Sequence, residues 1–387
     1  MADTIPDGRR TREPGQENKA PRPRWRSRKT LTWTGTGIAV AATAAVLIAV
    51  FAASGPSSPP SSPVTPPTAP GAPLIDPGGT GVSSVAFSPD GSLLAVGDIN
   101  GTSYLWNSGS ATLDGPPMRP GADGEQVGGI AVSSAGMLAV GTDNSGRTAG
   151  DITLWNARAR KRIMTLSDPG VPGGLAFSTD GIYLVAGDGN GAIYVWDVYM
   201  DMPPKTLRDP GTGKVLDVAF QPGTHTFAVA DGNGSIYLWD ATNGVTAGPP
   251  LQDPDGGVLG GVSFSADGTM LAAGDANGNV YIWKVATGRL LQTLHDPQGL
   301  QVNDVSFSPD GTAVAVAADN QAQTVSAIRV WILATQQVYT FHDPLATGHD
   351  PHAAGARRLA FSPDGSLLAV GDANGNTYLW DMLWLHS

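Results

Sequence analysis

The stretch "AFSPDGSLLAVGD" stands at residues 86–98 and returns letter for letter at 360–372. Its reading decides the fold. Val85-Ala86-Phe87 opens an apolar strand, and Ser-Pro-Asp-Gly (88–91) then suits a turn, with Pro fixing φ and Gly supplying positive φ. Leu93-Leu94-Ala95-Val96 is a second strand running into "GDING", where Asn100-Gly101 predicts a two-residue hairpin with positive φ at both positions. Tyr104-Leu105-Trp106 is the third strand, and stretches such as "RIMTL" at 162–166 supply a fourth. Most of these strands are apolar on both faces, which fits sheets packed between other sheets.

The tryptophan that closes each copy counts the copies: Trp106, Trp155, Trp196, Trp239, Trp283, Trp331 and Trp380. Seven units spaced by 41 to 49 residues match the ~40 to 45 of a four-stranded propeller blade. Trp196-Asp197, Trp239-Asp240 and Trp380-Asp381 end in Trp-Asp, and Trp106-Asn107 nearly so. Over residues 72–387 the chain therefore resembles the WD-repeat family. The resemblance implies an all-β, seven-bladed propeller that serves as a rigid binding platform. The "DPGG…VAFSPDG…GDANG…YLWD" variant is similar to extracytoplasmic propellers of actinobacterial membrane proteins, some of them carried by Ser/Thr kinases. Residues 1–30 hold no Gly-rich phosphate loop and no His-Arg-Asp segment, so kinase activity is excluded.

Only six residues follow Trp380-Asp381, too few for another full strand. "APLIDPGG" at 72–79 has the form of an outer strand, as in "KTLRDPG" at 205–211. Residues 72–75 are thus expected to complete the last blade, and the first and last copies are expected to become neighbours. Closure removes the exposed edges that invite aggregation, so a monomeric propeller is expected.

Upstream lie three segments of different chemistry. Residues 1–30 carry nine Lys/Arg against four acids and have little to bury, which predicts a disordered basic cytoplasmic tail. Residues 31–53, "LTWTGTGIAVAATAAVLIAVFAA", hold no charge over 23 positions, enough for a helix across a bilayer core of roughly 30 Å. A cleaved signal peptide ending near Val50-Phe51-Ala52 is the alternative, although the apolar run exceeds the ~7 to 15 residues usual there. The basic cluster before the span predicts a cytoplasmic N-terminus and an extracytoplasmic propeller at the cell membrane. Residues 54–71 form a Pro/Ser-rich stalk, a linker that favours extended polyproline II.

The remaining residues hold 14 basic against 30 acidic side chains, so nucleic acid is excluded as a partner. There is no cysteine, hence no disulfide or thiolate site. Where the family places Gly-His and Asp, this chain has Asp-Pro (Asp76, Asp168, Asp209, Asp253, Asp296, Asp343) and Asn-Gly (Asn100, Asn190, Asn233, Asn277, Asn374). A second carboxylate precedes most of those turns: Asp98, Asp188, Asp231, Asp275 and Asp372. The family geometry puts both sets on one rim. Two readings stand: each Asp accepts N–H groups of its own turn, or the ring attracts cations, calcium among them, or a basic partner.

Four loops break the repeat on that rim. The turn of the second blade is lengthened to "GTDNSGRTAGD" (141–151), with Asp143 and Arg147, and that of the sixth to "DNQAQTVSA" (319–327), with Asp319. The loop leading into the seventh blade, "HDPLATGHDPHAAGARR" (342–358), holds Asp343, His349, Asp350 and His352, and the one leading into the second replaces Asp-Pro by Arg119-Pro120. Blades six, seven, one and two are consecutive, so this arc is the expected surface for a protein partner. The segment after residue 71 has one Glu (Glu125) and six His, with no motif-level catalytic set. No cofactor or metal is assigned, and the chain is not expected to be an enzyme. A binding scaffold or sensor module is the expected role. A metal-dependent propeller hydrolase built on the His342–His352 cluster, and a passive spacer, are the alternatives.

Overall fold

The computed structural model describes residues 66, 69–78, 80–120, 125–143, 150–168, 170, 172–200, 202–211, 213–320, 325–341 and 355–386. Within them lie seven antiparallel sheets. Blade 1 runs from inside to outside as Val82–Phe87, Leu93–Asp98, Ser103–Asn107 and Thr112–Leu113. Blades 2 to 6 repeat this order, and in blade 4 the outermost strand is broken into Val245–Thr246 and Leu251–Gln252, both paired with Ser235–Asp240. The innermost strands are Val82–Phe87, Gln126–Val132, Pro172–Phe177, Val215–Phe220, Leu259–Phe264, Gln301–Phe307 and Arg358–Phe361. Each touches the next, and the last touches the first.

Blade 7 adds Leu367–Gly371 and Asn376–Asp381, and its outermost strand is Leu74–Ile75. Leu74 stands opposite Thr377 and Ile75 opposite Asn376. Leu74 is buried in a cluster that joins Val82, Leu94 and Trp106 of blade 1 to Ala369 and Leu379 of blade 7. The same construction holds between other neighbours: Val314, Val316 and Trp331 of blade 6 pack with Ala272, Ile282 and Leu294 of blade 5. Burying an aliphatic side chain is worth about 1.5–3 kcal/mol, and strands apolar on both faces gain this on each side of every sheet.

The turns between first and second strands define a lower rim. In blade 1 the Ser88 hydroxyl donates to Asp90 Oδ1 at 2.6 Å, the same oxygen accepts the Ser92 N–H at 3.1 Å, and Gly91 takes φ 71°. The motif recurs at Ser178/Asp180, Ser265/Asp267, Ser308/Asp310 and Ser362/Asp364. Turns between second and third strands lie on the opposite, upper rim. In blade 1, of the pair Asn100-Gly101, Gly101 has positive φ, 80°, and Asn100 does not. The Asp98 N–H bonds Thr102 O and the Gly101 N–H bonds Asp98 O, a three-residue loop that needs one left-handed residue rather than two.

Among the described residues no helix is long and apolar enough to cross a membrane. The segment 31–53, the tail before it and most of 54–71 lie outside the described residues.

Candidate functional site

The upper-rim carboxylates are largely consumed by their own corners. Asp98 Oδ1 accepts the N–H groups of Asn100 (3.2 Å) and Thr102 (2.9 Å). Asp188, Asp231, Asp275 and Asp372 cap their turns in the same way. In the lead-in loops, Asp253 accepts from Asp255 (2.7 Å) and Gly257 (2.6 Å), and Asp296 from Gln298 (2.7 Å) and Leu300 (3.2 Å). All of these side chains are buried. Burial pushes Asp76 up to about 7, against the pull of the Trp106 indole N–H, which bonds its Oδ1 at 3.2 Å. Asp209 is also pushed up to about 7, first by burial and then by the neighbouring Asp231 carboxylate. Two carboxyls thus stand as neighbours where the family's usual pair is His and Asp.

Blade 6 solves the same corner with charge. The third-strand position held by Tyr104, Tyr194, Tyr237, Tyr281 and Tyr378 elsewhere is Arg329. Its Nε donates to Asp296 Oδ2 at 2.9 Å, and Nη2 donates to Gln298 Oε1 at 3.0 Å. Among the described residues no three His, Cys, Asp or Glu side chains gather as metal ligands would.

Asp143 and Asp319 behave differently, and the register explains why. In blade 1 Asp98 stands opposite Val82, whereas in blades 2 and 6 the corresponding partners are Thr142 opposite Val127 and Ala318 opposite Val302. The lengthened hairpins continue one pair further, placing Asp143 opposite Gly150 and Asp319 opposite Ser326. A one-residue step turns a strand side chain to the other face. Both carboxylates therefore leave the corner position and line a cavity of about 640 Å3 at the upper mouth of the ring. The cavity wall also includes Lys214, Arg357, Arg358, Ile99 and Val258. Asp143 Oδ1 accepts the Gln126 N–H at 3.1 Å, while burial raises the Asp319 carboxyl against the pull of Asn303 and Arg357.

The innermost strands of blades 1 to 6 each carry a register shift near the upper rim, and Ser83, Gly173, Leu216 and Asn303, which sit at such shifts, face the cavity. One position deeper, the seven copies read Ser84, Gly129, Gly174, Asp217, Gly261, Asp304 and Arg358. Here the repeat becomes asymmetric. Asp217 Oδ2 accepts the Val262 N–H of the next blade at 2.9 Å, and Asp304 Oδ2 accepts Leu359 N–H at 2.9 Å. Ser84 does the same for Ile130 at 3.1 Å. Gly174 and Gly261 make room, because a Cβ there would stand 2.9 Å from Asp217 Oδ1 and 2.5 Å from Asp304 Oδ1. Arg358 bridges the carbonyls of Ser83 (3.2 Å) and Asn303 (3.4 Å), in the blades on either side of its own. Burial pushes Asp304 up to about 7, opposed by Arg358 and reinforced by Asp217.

Of the residues singled out in the sequence, Asp143 and Asp319 meet at the cavity, and Arg119 is exposed on the loop leading into blade 2. Arg147, Asp343, His349, Asp350 and His352 lie outside the described residues. Asp217, Asp304 and Arg358 were not singled out. Their signal is a single column of the repeat in which charge replaces Gly or Ser.

The family model "WD domain, G-beta repeat" matches residues 75–107, 160–197, 202–240, 251–284, 288–323 and 337–381, more than half of the chain. No curated protein matches the chain. The stretch the family model passes over contains the first three strands of blade 2, which has Ser134-Ala135-Gly136 where blades 1, 6 and 7 have Pro-Asp-Gly, yet Gln126–Val132, Met137–Asp143, Gly150–Asn156 and Lys161–Asp168 form a complete sheet. Six matched segments and seven closed blades carry one conclusion: the chain belongs to the WD-repeat family, in its seven-bladed form.

Proposed function

We propose that the protein is a single-pass membrane protein whose propeller, held outside the cytoplasm on a proline-rich stalk, binds a protein partner through the upper rim of blades 6, 7, 1 and 2. WD-repeat propellers are commonly protein-interaction scaffolds. The observation that carries the reading is the cavity at the ring mouth, to whose wall the lengthened hairpins of blades 2 and 6 bring Asp143 and Asp319. A ring that repeats its framework and varies its charge at this mouth is organised for a specific ligand, and a wall that sets Asp143 and Asp319 beside Lys214, Arg357 and Arg358 suits a partner surface carrying both signs of charge.

The uncharged run 31–53, the basic residues before it and the prolines of 54–71 support the anchored arrangement. The test is crosslinking in intact cells with a photoreactive side chain at Gln301 on the cavity wall, set against one at Thr269 on the lower rim. A discrete adduct from position 301, lost in an Asp143→Lys/Asp319→Lys variant, is the expected result. Identical patterns from both positions would overturn the assignment of this rim.

A further inference from the structure

The lower rim also breaks its symmetry, in the opposite sense of charge. Its turns between first and second strands carry Asp90, Asp180, Asp267, Asp310 and Asp364, while blade 2 has Ala135 and blade 4 has Gly223 in that position. The same blade's next lower turn reads "NARARKR", 156–162, which places four of the 14 basic residues after residue 30 within five positions. Arg158 pairs with Asp90 (2.9 Å) and Arg160 with Asp114 (3.3 Å), so these two neutralise the adjoining blade. Lys161 and Arg162 are exposed and make no ion pair among the described residues.

Beside this basic turn blade 3 projects its own. The lower turn between Asp197 and Lys205 is longer than the Asp240–Val245 turn of blade 4, and it exposes Tyr199 (63%), Met200 (57%) and Met202 (66%). Ile163, next to Arg162, is exposed as well. The two turns are neighbours, because Val198 at the root of one and Met164 of the strand leaving the other pack in a single core cluster. Cations beside exposed aromatic and flexible apolar side chains have the chemistry of an interfacial lipid contact. A protein groove would instead surround such side chains.

The direction of the chain adds a third observation. Gly71 N–H bonds Leu379 O, and Leu74–Ile75 then runs toward the upper rim, where Asp76 N–H bonds Gly375 O. The polypeptide therefore joins the propeller from its lower edge. We infer that the lower rim of blades 2 and 3 lies against an anionic lipid surface, with Lys161 and Arg162 at the headgroups and Tyr199, Met200 and Met202 in the interfacial layer. The inference rests on the anchored reading above, since attachment to the membrane raises the local concentration of this face and lets a small patch suffice.

The chain has no cysteine, so one introduced cysteine gives one labelled site. Full-length protein carrying a fluorophore at Met200→Cys, or at Val258→Cys on the upper rim, is reconstituted with phosphatidylcholine vesicles with and without phosphatidylglycerol, each doped with a headgroup spin-labelled lipid. The label at 200 is expected to be quenched several-fold more than that at 258 on the anionic vesicles, and Lys161→Glu/Arg162→Glu is expected to remove at least half of the difference. Equal quenching at the two positions overturns the inference, and so does a difference that phosphatidylglycerol and the charge reversal leave unchanged. Alkaline extraction of the same samples reports the anchor separately: release with quenching retained at 200 sinks the anchor and keeps the lipid face, while retention with equal quenching does the reverse.

Discussion

Arg329 Nε stands 2.9 Å from Asp296 Oδ2 at the corner of blade 6, both side chains buried, in a position where five other blades carry tyrosine. Removing one member of a buried pair leaves an uncompensated charge, which costs about 3–5 kcal/mol. Arg329→Met is expected to lower stability by about 3 kcal/mol in urea unfolding, the lower end because Asp296 keeps two backbone N–H donors. A double variant with Asp296→Asn should recover much of that loss. An Arg329→Met protein as stable as the parent would show that the pair contributes nothing.

The raised carboxyls set the dependence on pH. Asp76, Asp209 and Asp304 hold their protons to about 7 in the folded chain, whereas an unfolded Asp releases its proton near ~4. Their contribution to stability is complete below the unfolded value, shrinks as pH rises from ~4 to ~7 and is gone above. Asp90, Asp180, Asp267 and Asp364 are lowered, chiefly by serine or threonine hydroxyls and turn N–H groups, with burial opposing most strongly at Asp180, so their contribution is lost as pH falls below ~4. The melting temperature is therefore expected to peak at about pH 4–5 and to decline toward pH 8. In Asp209→Asn that decline should be shallower, and a parent curve rising from pH 5 to 8 would contradict the assignment.

Ring closure depends on a very short strand. Leu74→Ala should cost about 2–4 kcal/mol, since the side chain is buried between blades 7 and 1. Deleting residues 72–75 leaves Asn376–Asp381 as an open edge, and light scattering during heating is expected to rise well before that of the parent. A deletion that melts reversibly at the parental temperature would mean that the ring closes without its clasp.

Gly174 and Gly261 of the inner column leave room for the carboxylate and backbone of the next blade. Gly261→Ala puts a methyl 2.5 Å from Asp304 Oδ1 and is expected to destabilise by about 1–3 kcal/mol. Gly189→Ala, with nothing within 4 Å, should change stability by less than about 0.5 kcal/mol. Calorimetry of the two variants side by side checks the contrast, which should shrink but persist in an Asp304→Ala background, because the same methyl stands 2.9 Å from Asp304 Cα and 3.0 Å from Val305 N.

Much of the ring is legible in the sequence because its signals are local and repeated. Seven tryptophans, the Ser-Pro-Asp-Gly turns and the shortage of chain after Trp380 all follow from turn chemistry and strand length. The corner role of Asp98 and its equivalents is legible for the same reason. Asp143 and Asp319 are legible as rim residues but not as cavity residues, because their orientation depends on one extra strand pair that spacing alone does not reveal. Asn100 misleads because Asn-Gly suits a two-residue turn, while the Asp98 side chain stabilises a longer one. Asp217, Asp304 and Arg358 sit inside apolar strands, and their bonds run to neighbouring blades 45, 55 and 275 residues away.

The clasp strand Leu74–Ile75 has a mechanical consequence. It is also the segment through which everything upstream is attached, so any pull on the chain ahead of residue 69 is borne first by the Gly71–Leu379 hydrogen bond and then by two residue pairs along Asn376–Asp381. Tension of that kind runs parallel to the strand and shears it from blade 7 before it loads any other sheet. The ring is built to yield at its tether.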